Sequence, residues 1–291
     1  SSCIHNMDMI GKKAKNCAEL LAPAKINLTL EVLGKRDDGY HELRSIMHSV
    51  SVYDRITIEP NGTEKISVFC SVPLPERNTA RTAAELFRAH TGCSGVDIRI
   101  EKAIPSEAGM GGASADAAGV LRCMEQLFGR LPEAELYSIG KKVGADVPFC
   151  LLGGCALAEG IGEKLTKLDP FEYPLLIVKG KAGISTGKLF SFIDEKPLSS
   201  DARINRADEF LADTAHPGLH NDLFPAAVSF APEIEEYRQR LLSLGALDAM
   251  MTGSGSAVYG IFSDTESAKR AYEAFPDCEF RRVASTIPNV W

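Results

Sequence analysis

From Pro23 the chain alternates apolar and polar positions with period two. Ala24, Ile26, Leu28, Leu30 and Val32 fall on one face, and Lys25, Asn27, Thr29 and Glu31 on the other. Successive strand side chains point to opposite faces, so the pattern predicts a half-buried strand. Gly34 to Gly39, GKRDDG, carries turn chemistry, and β-type alternation resumes from Ile46 to Ile58. Ala83, Ala84 and Phe87 share one side of a predicted helix from Ala80 to Ala89, and Val96, Ile98 and Ile100 alternate as another strand. A glycine cluster follows Pro105. Beyond it Ala117, Val120, Leu121, Met124, Leu127 and Phe128 recur at helical spacing, with Gly129 as the stop. Glu133 to Val143 reads as a further helix.

After Leu157 the composition turns polar until Pro174-Leu-Leu-Ile-Val178, a short buried strand. This shift places a domain boundary between residues 160 and 173, giving an N-terminal domain over 20–165 and a C-terminal domain over 170–291. Short strands and helices alternate through the second half, with helices at 232–244 and 265–275 and a final strand at 280–284, an order typical of α+β architecture. Residues 1–19 have no apolar signal-peptide core and are expected to be an extension, disordered or partly foreign to the native chain.

The length of 291 residues accommodates two domains of ordinary size. Such a chain buries roughly 75% of its unfolded surface, so its core requires neither metal nor disulfide. Lys and Arg total 32 against 39 Asp and Glu, a net charge of -7. That balance disfavours nucleic-acid and membrane-surface partners while leaving room for a local basic site. No apolar run approaches the roughly 18 residues of a membrane span, and a cytoplasmic location is expected. The eight cysteines contain no Cys-x-x-Cys pair and read as small reduced thiols. His216 and His220 have ligand-like spacing, but Pro217 and Gly218 between them break the helix that would present both.

The glycine cluster, Pro105 to Ala118 (PSEAGMGGASADAA), carries the first candidate chemistry. Gly109, Gly111 and Gly112 free the backbone to approach a ligand, and the helix that follows offers unpaired N–H groups and a positive dipole end. An anion such as phosphate suits that position, and Ser114 adds a hydroxyl for phosphate or Mg2+. The segment is neither a Walker A loop nor Gly-x-Gly-x-x-Gly. Asp146, in Gly144-Ala-Asp-Val-Pro-Phe149, lies where the preceding helix must end. It reads equally as a turn or cap aspartate and as a carboxylate held on a rigid corner to orient a hydroxyl. Lys25 and Asn27 occupy the polar face of the first strand. Tyr40 and His41, just after its turn, have the chemistry to stack on a flat ring and bond its edge, or to pack on their own domain. Asn221-Asp222 and Met251 to Ser256 (MTGSGS) are turns suited to close backbone approach.

Together these segments resemble the GHMP family of small-molecule kinases, from Pro23 to about Phe262. The likeness rests on Pro105 to Ala118 as phosphate loop, on Met251 to Ser256 as C-terminal glycine motif, and on Pro23-Ala-Lys-Ile-Asn-Leu28 with the Gly-Tyr-His and Gly-Ala-Asp-Val-Pro-Phe segments. It implies a two-domain α+β GHMP kinase fold, with a ribosomal-protein-S5-like N-terminal domain and a ferredoxin-like C-terminal domain. The activity implied is transfer of the ATP γ-phosphoryl group, with Mg2+, to the 2-hydroxyl of a methylerythritol unit. That acceptor is a small-molecule cytidine diphosphate of the non-mevalonate isoprenoid pathway. The alternatives are another GHMP kinase, a diphosphomevalonate decarboxylase or a non-catalytic nucleotide-binding module.

By the same resemblance Asp146 is the catalytic aspartate and Lys25 its partner. Pro105, Gly109, Met110, Gly111, Gly112, Ala113 and Ser114 hold ATP phosphates, with no metal ligand among the side chains beyond the Ser114 hydroxyl. Asn78, in Pro75-Glu-Arg-Asn-Thr79, falls at an adenine contact, although Thr79 stands where the family more often has leucine. Asn27, Tyr40, His41, Thr186 and Phe190 line the substrate pocket. Glu107 and Ala108 replace smaller or glycine residues at the loop's opening, and a carboxylate there would repel phosphate, so Glu107 receives no role. The enzyme is expected to be a monomer or weak homodimer.

Overall fold

The computed structural model describes residues 17–195 and 205–291, with the backbone of two short antiparallel strands, β1 (Asn6–Met7) and β2 (Lys13–Ala14). The expectation of a disordered or foreign extension over 1–19 falls mostly outside the described residues, although Ala18 and Glu19 already belong to β3 (Ala18–Lys35). A second long strand, β4 (His41–Pro60), and the shorter β5 (Ile66–Cys70) precede helix α1 (Thr79–Thr91). Strand β6 (Val96–Glu101) leads into the glycine loop, followed by α2 (Gly112–Phe128), α3 (Glu133–Val143) and α4 (Val147–Leu152). Next come β7 (Cys155–Gly160), β8 (Lys164–Leu168), β9 (Pro174–Lys179), α5 (Thr186–Glu195) and α6 (Arg206–Ala212). The chain ends with β10 (His220–Asn221), α7 (Phe224–Phe230), α8 (Glu233–Ser243), β11 (Asp248–Met251), β12 (Val258–Ile261), α9 (Thr265–Tyr272) and β13 (Phe280–Ser285).

The chain divides into two compact units. One comprises Ser1–Pro23, Tyr53–Ile104 and Gly112–Leu152; the other comprises Ala24–Val52, Pro105–Gly111 and Gly153–Trp291. The division therefore falls inside β3, inside β4 and on either side of the glycine loop's first half.

In the first unit the end of β4 pairs antiparallel with β6, Ile56 opposite Ile100 and Ile58 opposite Ile98, while β5 joins β6 in parallel. These isoleucines are buried, as are Phe87 of α1 and Val120, Leu121 and Met124 of α2. Helix α2 approaches the strands closely: a Cβ at Gly119 would lie 2.8 Å from Ile56 and 3.2 Å from Ala22. Asn78 caps α1 by accepting from Arg81 N, and Gly92 ends it in the left-handed conformation.

In the second unit β11, β12, β9 and β13 form an antiparallel sheet in that order. Its Leu176 and Val178 share a core with Ile234, Tyr237 and Leu241 of α8, Ala268 and Ala271 of α9, and Leu30 and Val32 of β3. The start of β4 pairs with β7, which pairs in turn with β8, and β10 runs parallel to Thr29 and Leu30. The polar stretch after Leu157 is thus a hairpin rather than a linker. Strand β8 bonds to β7 and is largely exposed, and polar residues suit such an edge.

Strand β3 also departs from expectation. Lys25, Asn27, Thr29 and Glu31 are only 4%, 4%, 0% and 5% exposed, so both faces are covered. Buried polar groups persist only where they are hydrogen-bonded, and their partners define the candidate site.

Candidate active site

Within the second unit, Lys25 Nζ donates to Asn27 Oδ1 at 2.7 Å and to Gly109 O at 2.9 Å. Asn27 Nδ2 donates to Ser45 Oγ at 2.8 Å, and Ser45 Oγ donates to Thr29 O at 2.6 Å. Thr252 Oγ1 accepts from Asn27 N at 3.0 Å and donates to Gly109 O at 3.1 Å, while Tyr259 OH donates to Asn27 O at 2.7 Å. The Asn27 amide, expected to face substrate, is therefore committed to holding Lys25 and Ser45. Glu31 serves α6, accepting from Arg206 N at 3.0 Å and Ala207 N at 3.3 Å.

The same network fixes the start of the glycine loop. Lys25 N donates to Met110 O at 3.0 Å, Ser256 N to Glu107 O at 3.0 Å and Ala257 N to Ala108 O at 3.2 Å. Gly109 has φ 70, and a Cβ there would stand 2.1 Å from Thr252 O, so only glycine fits. At Gly111, also φ 70, a Cβ would come within 3.0 Å of the Lys25 side chain. Pro105 opens this half of the loop. The Glu107 carboxylate lies against Gly183, where a Cβ would be 2.2 Å from Oε2.

The loop's continuation belongs to the first unit. Gly112, Ala113 and Ser114 form the opening turn of α2, whose N–H groups have no intrahelical acceptors and whose dipole favours an anion. Ala113 O accepts from Thr79 Oγ1 at 2.7 Å. Beneath this turn the Lys102 ammonium bridges Asp116 Oδ2, at 2.7 Å, and Asp54. Asp54 Oδ1 accepts from Ala103 N at 2.6 Å and Ile104 N at 2.9 Å. Burial raises the Asp116 pKa to about 8 against the opposing pull of Lys102, and neighbouring Asp54 raises it further. This cluster ties the end of β6 to α2 and so sets where the helix begins.

Asp146 stands at the corner between α3 and α4. Gly144 N donates to Gly140 O at 3.1 Å and Cys150 N to Asp146 O at 3.0 Å, which puts Asp146 at the cap position of α4. A Cβ at Gly144 would lie 3.9 Å from Ser114 Oγ, so the corner borders the first turn of α2.

An aromatic platform occupies another part of the second unit. His41 stacks on Phe190 with centroids 4.6 Å apart and planes at 26°. Tyr40, its neighbour in sequence, is 60% exposed. His41 Nε2 meets Asp194 Oδ1 at 2.7 Å, and Lys35 Nζ donates to Asp194 Oδ2 at 2.6 Å. Those bonds from Lys35 and His41 lower the Asp194 pKa. Thr186 Oγ1 pairs with Ser254 Oγ at 2.6 Å.

Asn78 is engaged locally: Nδ2 donates to Pro75 O at 3.0 Å while Oδ1 caps α1. Its adenine role rests on the resemblance alone. The sequence reading passed over Ser45, Thr252, Tyr259, Lys35 and Asp194. In sequence the signal for Thr252 is its place in the Met251 to Ser256 glycine turn, and for Asp194 its place one helical turn after Phe190. Six cysteines, Cys70, Cys93, Cys123, Cys150, Cys155 and Cys278, are free thiols, whereas Cys17 is disulfide-bonded, contrary to the reading of all eight as reduced. Among the described residues no three His, Cys, Asp or Glu side chains gather as a metal cluster, and no helix is long and apolar enough to cross a membrane.

Comparison with known proteins places this geometry in context. Residues 78–154 match the family model "GHMP kinases N terminal domain", and residues 203–280 match "GHMP kinases C terminal". The chain is 44% identical over 271 residues to 4-diphosphocytidyl-2-C-methyl-D-erythritol kinase of Acetivibrio thermocellus, covering 90% of this chain and 95% of that protein. It is 44% identical over 262 residues to the kinase of the same name from Caldicellulosiruptor saccharolyticus, covering 87% and 90%. A crystal structure of 4-(cytidine 5'-diphospho)-2C-methyl-D-erythritol kinase superposes with TM-score 0.80 at 35% identity, over 94% of this chain and 100% of that one. Homoserine kinase from Cytophaga hutchinsonii shares the fold, with TM-score 0.71 at 17% identity over 99% and 98% of the two chains.

Proposed function

The chain belongs to the GHMP kinase family, and from that premise we propose that it transfers the γ-phosphoryl group of ATP to the 2-hydroxyl of 4-diphosphocytidyl-2-C-methyl-D-erythritol. This is a step in making isoprenoid precursors by the non-mevalonate route. The observation that carries the choice of acceptor is the platform of His41 stacked on Phe190, next to an exposed Tyr40. A flat nucleobase suits such a surface, whereas a small alcohol has no use for it. The names of the relatives agree with this reading.

Phosphoryl transfer requires alignment and neutralisation of charge more than covalent chemistry. The N–H groups of Gly112, Ala113 and Ser114, at the positive end of α2, bind phosphate oxygens, with Gly109 and Gly111 shaping the approach. Pro105 and Met110 hold that loop in place. The Lys25 ammonium offers its charge to the transferred group. Asp146 orients the acceptor hydroxyl and takes its proton as the new P–O bond forms and the bond to ADP breaks. Asn27 acts through Lys25, and Tyr40, His41, Thr186 and Phe190 hold the cytidine end. Asn78 caps α1 and is assigned to the adenine side.

Magnesium bound with ATP would supply positive charge to the phosphates. The Ser114 hydroxyl is a hard oxygen donor of the kind this ion accepts and would hold it together with phosphate oxygens. The chain is read as domains 20–165 and 170–291 with an extension over 1–19. The two family matches lie on either side of that boundary. The protein is read as a monomer or weak homodimer acting on small molecules. Because ATP is an intracellular metabolite, this reading puts the reaction in the cytoplasm.

The test is an acceptor panel with ATP and Mg2+: the cytidine-bearing methylerythritol, mevalonate, diphosphomevalonate, homoserine and a hexose. ADP should form with the first alone. Turnover confined to mevalonate, diphosphomevalonate, homoserine or the hexose overturns the assignment.

A further inference from the structure

Asp194 lies behind the ring platform, where neither composition nor motif pointed to it. Its carboxylate is held on both oxygens, by His41 Nε2 at 2.7 Å and by Lys35 Nζ at 2.6 Å. The His41 side chain is 9% exposed and the Asp194 side chain 29%. The imidazole is also pinned on one face by Phe190 at 4.6 Å. An ionised carboxylate only accepts hydrogen bonds, and the lowered Asp194 pKa keeps it ionised at neutral pH. The proton in the His41–Asp194 bond must therefore sit on Nε2. A neutral imidazole carries one ring proton, so Nδ1 is left with a lone pair.

We infer that Asp194 is a positioning residue that fixes His41 as its Nε2–H form, so that Nδ1 accepts from the nucleobase and selects cytosine over uracil. This inference rests on the function proposed above and names what sets its base preference. Cytosine presents an exocyclic amine, a donor, at the ring position where uracil presents a carbonyl acceptor. A ring held with its lone pair on Nδ1 bonds the first and opposes the second. Sites built to hydrogen-bond a ligand group discriminate strongly because a mismatch leaves buried polar atoms unpaired. The Lys35 bond to Asp194 fastens α5 to the end of β3.

The experiment compares binding of cytidine 5'-diphosphate and uridine 5'-diphosphate to the intact protein and to Asp194→Asn, Asp194→Glu and Lys35→Met. Asn can offer either its oxygen or its amide N–H to Nε2 and so permits both ring forms. In D194N the preference for the cytidine ligand should shrink about tenfold, with KM for the acceptor raised and kcat changed less than about twofold. D194E should restore part of the preference, and Lys35→Met, which leaves the His41 bond intact, should retain it. Equal weakening of both ligands in D194N would reduce Asp194 to a clamp and overturn the inference. Should D194N fail to fold, nitrogen NMR of the wild-type His41 ring decides: an unprotonated Nδ1 is expected, and a protonated Nδ1 overturns it. A wild-type protein that phosphorylates no cytidine-bearing acceptor sinks the proposed function and this inference with it. A working kinase whose base preference survives D194N sinks the inference alone.

Discussion

The Lys25 ammonium donates to the Asn27 carboxamide oxygen at 2.7 Å, from two positions away on the same strand face. That bond aims a charged side chain that is otherwise surrounded by buried groups. Asn27 in turn is held by Ser45 and Thr252, which come from distant parts of the chain. Asn27→Ala removes the acceptor and leaves Lys25 and Ser45 short of a partner. We expect kcat to fall about tenfold and stability to drop by about 1–3 kcal/mol, because buried polar groups lose their bonds. Steady-state kinetics and urea unfolding on the same preparation check both.

Asp146→Asn keeps the shape of the corner but removes the proton acceptor. Nucleotide affinity should be retained while kcat drops by a factor on the order of 10² or more. Calorimetric titration with an ATP analogue, alongside the rate, separates the two effects; full turnover in the variant would remove Asp146 from the mechanism.

Gly109→Ala places a methyl group 2.1 Å from Thr252 O in a backbone of φ 70. Steric conflict and left-handed strain together should cost about 3 kcal/mol and abolish tight nucleotide binding. Gly218→Ala, where a Cβ meets nothing within 4 Å, is the matched control and should be nearly neutral. Denaturation midpoints of the two variants provide the comparison.

Much of this site was legible because it depends on local patterns. Three glycines before a small-residue helix, a lysine on a strand and an aspartate at a helix corner are visible in short windows. The burial of β3's polar face was not, because its partners lie as far as 232 positions away, as Tyr259 does from Asn27. No period in the sequence reports such a pairing. Asp194 was missed for a related reason: an exposed-looking helical carboxylate acquires its role only when Lys35 and His41 arrive from another segment. The β7–β8 hairpin is not legible in sequence because an edge strand facing water has the composition of a linker.

His48 gives a stability prediction. Its Nδ1 meets Ser49 O at 3.0 Å and its Nε2 accepts from Phe171 N at 3.0 Å, so the folded protein holds it neutral. Burial lowers its pKa to about 4 from the ordinary 6.5. The unfolded chain therefore binds the extra proton between those values. The contribution is fully present above about pH 6.5 and is lost progressively as pH falls toward 4, by roughly 3 kcal/mol in all. His48→Gln should flatten the stability curve across that window in denaturant titrations at several pH values.

Phosphorus NMR of a complete reaction addresses the central claim most directly. Protein, ATP, Mg2+ and 4-diphosphocytidyl-2-C-methyl-D-erythritol should yield ADP and one new phosphate monoester, located on the 2-hydroxyl of the acceptor, in equal amounts. ADP accompanied only by inorganic phosphate, or a monoester on a different hydroxyl, would contradict the account.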